Sequence, residues 1–521
     1  MQEGELAERR LSGRLGPRRV PGLGDVVAGL SAALVLIPQA LAYGALAGVP
    51  VQSGLYAAAL APLAAAFFAS SPYLGTGPTA ITSLLTLGAL AAVVAPGTQE
   101  YVELAALLAL VVGIMRVGLG LVRAGFLAYV LSQPILTGFT TGAALVIVAS
   151  QIPSVVGATS TATNPFVSAF DVLRSPQEWR LHSIVLAAVV ALAMVAGRRI
   201  HRLFPGVLLA LVLAVLLSAV TNYGGAVVGN VDAGFPPLPR GIPWASLPGL
   251  LVPAGVIAIV GFAEPASIAR HYATLQRRRW NPNRELVSQG VANLASGFGG
   301  GFPVGGSFSR SALLHDAGAR TRLAGGLSGL VVLALLPATE VLAQLPESAL
   351  GAVIIVSVVE LLHVRPFRDL RRYARLQFAV SLLTLVMTVA LAPHVERALI
   401  AGVGLAVAAH LWRELRLTIP AWVSDGTLHL APKGVLYFAS APGLEVAFAR
   451  ALEQHPDADR LMVHLDGLGR IDLTGALVLR DFLADARAAG FAAEVADVPA
   501  PARKVVARVI TGSEPYPEIR H

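Results

Sequence analysis

The chain has 521 residues, 55% hydrophobic and 13% charged, with a formal charge of +8, no cysteine and a mean hydropathy of +0.69. A water-soluble enzyme carries about a quarter charged residues to solvate its surface, so most of this chain is not a soluble protein. The same figures exclude a disordered chain, a nucleic-acid-binding module and a disulfide scaffold, and the short basic clusters between apolar runs fit the cytoplasmic loops of a membrane protein.

Residues 1–24 hold Arg9, Arg10, Arg14, Arg18 and Arg19 and lack the compact apolar core of a secretory signal, so they read as an uncleaved cytoplasmic segment. No Asp, Glu, Lys or Arg occurs between Asp25 and Glu100, from Ala124 to Phe170, or from Leu203 to Val231. About 20 apolar residues suffice for one crossing. The pattern predicts an α-helical polytopic domain over 25–415. Seven crossings lie within 25–221, near 25–43, 53–69, 76–95, 103–122, 131–150, 181–197 and 204–221. Seven more lie within 249–412, near 249–269, 286–300, 307–318, 323–343, 348–362, 376–391 and 398–412.

With the N-terminus inside, the even-numbered crossings end at Arg116 with Arg123, Arg198 with Arg199, Arg270 with Arg277–Arg279, Arg320 with Arg322, the Arg365–Arg375 cluster, and Arg413. All then fall on the cytoplasmic side, as positive-inside orientation requires. After Arg416 charges become frequent. Leu461–Leu468 and Phe491–Val498 read as strands, and Thr427–Ala439 as a strand pair turning at Pro432-Lys433-Gly434. Residues 420–521 therefore predict a small cytoplasmic α/β domain, and fourteen crossings return both termini to the cytoplasm.

Two segments at membrane depth are broken: 70–82, SSPYLGTGPTAIT, and 299–311, GGGFPVGGSFSRS. Pro72, Pro78 and Pro303 interrupt the helical ladder, and such backbone is tolerated in a bilayer only where it lines a cavity or is packed in protein. Gln39 precedes the first and Glu264 the second at similar spacing, which suggests two repeats of seven crossings, the second inverted. The two half-helices then converge on the midplane by their N-termini, where unpaired N–H groups and the helix dipoles favour an anion.

Arg310, three residues into the second half-helix, is a functional candidate because a guanidinium in a bilayer is costly. Ser307, Ser309 and Ser311 offer hydroxyls, with Ser307 placed as an N-cap. Glu264 is the one carboxylate between Asp232 and Glu285. It could carry a proton, ligate sodium or neutralise Arg310, and the residues leave these open. Gln39 and Tyr43 share a helical face at i and i+4.

Pro38-Gln39-Ala-Leu-Ala-Tyr43, Ala47-Gly48-Val-Pro50 and Gly54-Leu55-Tyr56 resemble the signature of the SulP family, the sulfate permease type of solute carrier; Gly77-Pro78 and Ser307-Phe308-Ser309-Arg310 resemble its half-helix motifs. The last hundred residues resemble the STAS domain that follows the membrane part in that family. The resemblance implies a seven-plus-seven inverted repeat, a core moving against a gate, often in a homodimer, in the cytoplasmic (inner) membrane. It places the substrate site on Thr76, Gly77, Thr79, Ser307, Phe308, Ser309 and Arg310, with Gln39, Tyr43 and Glu264 from neighbouring crossings.

Family members carry sulfate, bicarbonate, chloride or dicarboxylates, with proton or sodium coupling. The favoured expectation is proton-coupled symport of a C4-dicarboxylate such as fumarate, with Glu264 as the coupling residue. The alternatives are sulfate or bicarbonate transport and uncoupled exchange. Thr474, in Asp472-Leu473-Thr474-Gly475, matches the loop where related regulators carry a phosphorylatable Ser or Thr, although a helix cap explains it as well. No enzymatic cluster, metal site, cofactor motif or Walker loop occurs.

Overall fold

The computed structural model describes residues 22–91, 93–129, 133–200, 206–221, 223–229, 234–236, 241–359, 361–362, 364–414, 417–437 and 440–511. The predicted cytoplasmic segment 1–24 lies outside these except for its last three residues. The chain divides between Val403 and Gly404 into two compact units.

The first unit opens with α1 (Leu23–Ala47) and α2 (Val51–Phe68), joined by a turn at Gly48. The 25 residues of α1 rise about 37 Å, enough for a hydrocarbon core of about 30 Å. A three-residue strand β1 (Gly75–Gly77) then leads into α3 (Ala80–Leu90), followed by α4 (Gln99–Leu121), α5 (Gln133–Val156), α6 (Pro165–Arg174), α7 (Leu181–Ile200) and α8 (Gly206–Thr221). The second half runs through α9 (Leu247–Leu275), α10 (Pro282–Phe298), strand β2 (Gly305–Ser307), α11 (Phe308–Asp316), α12 (Leu323–Leu335), α13 (Glu347–Val359), α14 (Val364–Tyr373) and α15 (Arg375–Ala390) to the first residues of α16 (Val395–Glu414), within which the division falls. Among the described residues seven helices are long and apolar enough to cross a membrane, and five more apolar helices are shorter.

The broken segments are where the strands fall. With 11 and 9 residues, α3 and α11 rise only about 16 and 14 Å, half a bilayer each. The strands before them pair antiparallel, Gly75 with Ser307, Thr76 with Gly306 and Gly77 with Gly305. Backbone groups that Pro78 and Pro303 keep out of a helix thus find partners in each other rather than in lipid.

Helix packing separates two bundles. One gathers α1 to α4 with α9 to α12; the other gathers α5 to α8 with α13 to α15. The first is tied across the sequence by two buried acids. Asp25, at the start of α1, accepts the Arg320 and Thr321 N–H groups, both at 2.8 Å. Glu285, at the start of α10, accepts the Ser70 N–H and hydroxyl and the Ser71 N–H. An acid from each half of the chain therefore holds a loop from the other half.

The second unit carries a four-stranded sheet, β3 (Ala421–Ser424), β4 (Thr427–Leu430), β6 (Arg460–His464) and β8 (Ala492–Ala496) in that order, and a parallel pair of β5 (Gly434–Leu436) with β7 (Leu468–Ile471). Helices α17 (Ala441–Gln454) and α18 (Leu473–Ala488) join Leu428, Leu430, Leu461 and Val463 in one core. The predicted hairpin at Pro432-Lys433-Gly434 is not formed. Instead β4 pairs antiparallel with β3, through Asp425 (φ 51°) and Gly426 (φ 72°), and parallel with β6. Two consecutive positive φ values are what a two-residue hairpin demands, and an Asp-Gly pair meets them at little cost.

Candidate functional site

Arg310 is the centre of the site. It is 1% exposed, on the first turn of α11. Its Nη1 donates to Gln39 Oε1 at 2.8 Å and its Nη2 to the Gly75 carbonyl at 3.4 Å, while Nε, also buried, has no acceptor. Tyr43, one turn after Gln39 on α1, lies within electrostatic reach of the guanidinium. Gly77, with φ +145°, takes a backbone conformation open to glycine and lies against the guanidinium: a Cβ there would crowd Leu36 at 3.2 Å and stand in ordinary contact, 3.5 Å, with Nη2.

Glu264, on α9 just before Pro265, is partly exposed, and its carboxylate faces the Phe308 N–H and the Arg310 guanidinium. Phe308 is the first residue of α11, so its N–H is one that the helix itself leaves unpaired. The acid thus serves the helix start from a neighbouring element. Ser307 sits at the N-cap position without a side-chain cap bond; its hydroxyl lies 3.1 Å from that of Ser309. Phe308, 49% exposed, and Ser309 are open, so the N-terminus of α11 is accessible.

The first half-helix is committed inward. Thr79 caps α3 by accepting the Thr82 N–H, and its hydroxyl lies 2.9 Å from that of Thr82. The Thr76 hydroxyl accepts the Gln289 amide at 2.9 Å. The structure therefore brings Gln39, Tyr43, Gly77, Glu264, Phe308 and Arg310 together, and turns the hydroxyls of Thr76 and Thr79 toward protein partners. Thr474 belongs to the second unit, exposed in the first turn of α18, where Asp472 is the cap, accepting the Gly475 N–H at 2.8 Å.

Two supports escape the sequence reading. Arg116, predicted as a cytoplasmic loop charge, is instead 0% exposed and donates to three carbonyls, Ala258 at 3.1 Å, Ile257 at 2.9 Å and Val304 at 2.9 Å. It joins α4 to α9 and to the approach of β2; its place near an apolar helix end mimics a topology signal. On α10, Asn293 bonds both backbone groups of Val304, at 3.0 and 3.1 Å, and Ser296 donates to the Phe302 carbonyl at 2.7 Å. The signal was present: Gln289, Asn293 and Ser296 recur at i, i+4 and i+7 on one face of the crossing.

A short strand pair flanked by two half-helices, a buried guanidinium whose Nε has no acceptor and a facing carboxylate thus come together in the membrane unit. The chain belongs to the sulfate permease family, whose sequence model matches residues 23–384. It is 38% identical over 372 residues to a probable sulfate transporter of Mycobacterium tuberculosis, a match that takes in 69% of this chain and 65% of that relative's length, just under two thirds. A sodium-independent sulfate anion transporter of Bos taurus is 30% identical over 503 residues, 88% of this chain and 81% of that one. The murine Solute Carrier 26 family member A9 anion transporter, solved in an inward-facing state, superposes with a TM-score of 0.84 at 20% identity, covering 95% of this chain and 88% of that one. The last likeness is one of fold. The family is one of transporters rather than enzymes.

Proposed function

We propose that the chain is a secondary active transporter of small anions, working by alternating access through fourteen crossings arranged as two inverted repeats of seven. The observation that carries the reading is Arg310: buried, fixed through both Nη atoms, with Nε free to donate beside the accessible start of α11. A hydrogen bond from a charged donor contributes about 1.5–3 kcal/mol, and helix dipoles add to the positive potential. In this reading an oxyanion accepts from Arg310 and from the N–H groups that open α11.

Glu264 couples the anion to a proton. When ionised it holds negative charge at the Phe308 N–H, where the anion must come, and repels it; a proton on Glu264 removes the repulsion, so each ligand favours the other. Sulfate is the first candidate because several of the relatives, bacterial, plant and mammalian, bear that name. A single fixed guanidinium also suits one compact anion, and fumarate and bicarbonate are its competitors. The second unit we assign as a STAS domain with a regulatory rather than a substrate-binding role, Thr474 being an accessible phosphoacceptor at a helix start, where added negative charge is favoured.

The test is uptake of labelled sulfate, fumarate and bicarbonate into proteoliposomes under an inward proton gradient, a sodium gradient, or neither. Proton-driven accumulation of one of the three is expected. No uptake above protein-free vesicles would end the transport reading, and uptake indifferent to the proton gradient would end symport alone.

A further inference from the structure

The seam between the two bundles of the membrane unit holds a cavity of about 420 Å³ apart from Arg310 and its neighbours. Its walls come from both bundles: Val49 and Gln52 at the turn from α1 to α2 and Leu87 on α3 on one side, Gln151 and Ser154 on α5 and Glu347 on α13 on the other. A second cavity of about 250 Å³ shares Ser154 and Glu347 with the first. Glu347 is the single charged residue lining either of them. Among the described residues its carboxylate has no hydrogen bond or ion pair.

An acid in the first turn of a helix is favoured by the helix dipole, which accounts for its presence on α13 but not for its place between two cavities. A lone ionised carboxylate repels anions and attracts cations, so these cavities favour a cation. Their chemistry is of that kind: one negative charge, amide and hydroxyl oxygens from Gln52, Gln151 and Ser154, and apolar walls from Val49 and Leu87. At 420 Å³ the larger is within the range of small-molecule sites, which run from about 300 to 1,000 Å³.

We propose that this seam is a binding site for a small organic cation of the alkylammonium or quaternary ammonium class, paired with Glu347. Because the cavity is bounded by both bundles, any movement of one against the other changes its shape. A ligand that fits one arrangement stabilises that arrangement and slows the cycle without competing for the anion site. The movement rests on the transport reading; the binding does not.

The absence of cysteine makes the test direct. In Ser154→Cys protein, purified in detergent, the modification rate is compared for trimethylammonioethyl and sulfonatoethyl methanethiosulfonates, each normalised to its rate on a free small thiol. The cationic reagent is expected to gain about tenfold from the local field. Glu347→Gln in the same background should remove that gain, and tetraethylammonium should protect the thiol in wild-type Glu347 protein only. Equal normalised rates, indifference to Glu347→Gln, or absence of protection would overturn the site. Gln151→Cys repeats the measurement if Ser154→Cys does not fold.

In proteoliposomes, tetraethylammonium should lower the maximal sulfate uptake rate at least twofold with KM unchanged. A raised KM with unchanged maximal rate would overturn the seam mechanism. Since labelling needs no transport, loss of the cation site and failure of the transport reading are read separately.

Discussion

Arg116→Leu removes the three hydrogen bonds that join α4 to α9 and to the residue before β2. The acceptors are the carbonyls of Ile257, Ala258 and Val304, and the guanidinium that serves them is wholly buried. Each carbonyl keeps another donor, Val304 in Asn293 and the other two in the N–H groups one turn on within α9. The loss is therefore that of three net hydrogen bonds at about 0.5–1.5 kcal/mol each, about 1.5–4.5 kcal/mol together. That is a sizeable fraction of the roughly 5–15 kcal/mol that holds a folded protein together. At about 2 °C per kcal/mol the detergent-solubilised protein should melt roughly 3–9 °C lower. Arg116→Lys should fall between, since an ammonium cannot reproduce the planar fork. If Arg116→Leu melts with the parent, the arginine is not the brace described here, and its place as a topology charge returns.

Arg310→Lys should leave the melting temperature nearly unchanged but raise KM for the transported anion about tenfold or more, since a single ammonium cannot bridge Gln39 and Gly75 and still donate to an anion; an unaltered KM would remove Arg310 from recognition. Glu264→Gln should retain anion exchange between loaded vesicles while uptake loses its response to an inward proton gradient, and a preserved response would move coupling elsewhere. Asp472→Ala should weaken the start of α18 by about 0.5–2 kcal/mol, seen as faster hydrogen exchange of the Gly475 amide in the full chain, with KM unaffected; slow exchange at that amide would show that the cap bond is dispensable.

The segments 70–82 and 299–311 could be read as broken because proline and glycine act locally: they remove donors and admit positive φ wherever they occur. That Gly75 to Gly77 would pair with Gly305 to Ser307 could not, since it joins positions some 230 residues apart and leaves no local pattern. Arg310 stood out through the cost of charge in an apolar run. Arg116 did not, because beside Arg123 it looked like an ordinary helix-end cluster. Thr79 and Thr76 were assigned by position in a motif, and only packing reveals that their hydroxyls are engaged. In the second unit the Asp425-Gly426 turn was legible in principle. The Pro-Lys-Gly sequence nearby was the more conspicuous breaker and drew the hairpin to the wrong place.

The three-residue ladder between β1 and β2 is small, yet it determines which parts can move. Strands in register stay about 4.8 Å apart, and pulling them apart would strand backbone groups where no water replaces them. In the proposed transport cycle the two half-helices and Arg310 would therefore travel as a single cassette, and the ion would not choose between an outer and an inner version of its cradle. On that reading, any difference in affinity between the two faces of the membrane would be written in the opposing bundle. Mutations on α5 and α13 should accordingly bias the direction of flow while leaving the intrinsic preference for one anion over another intact.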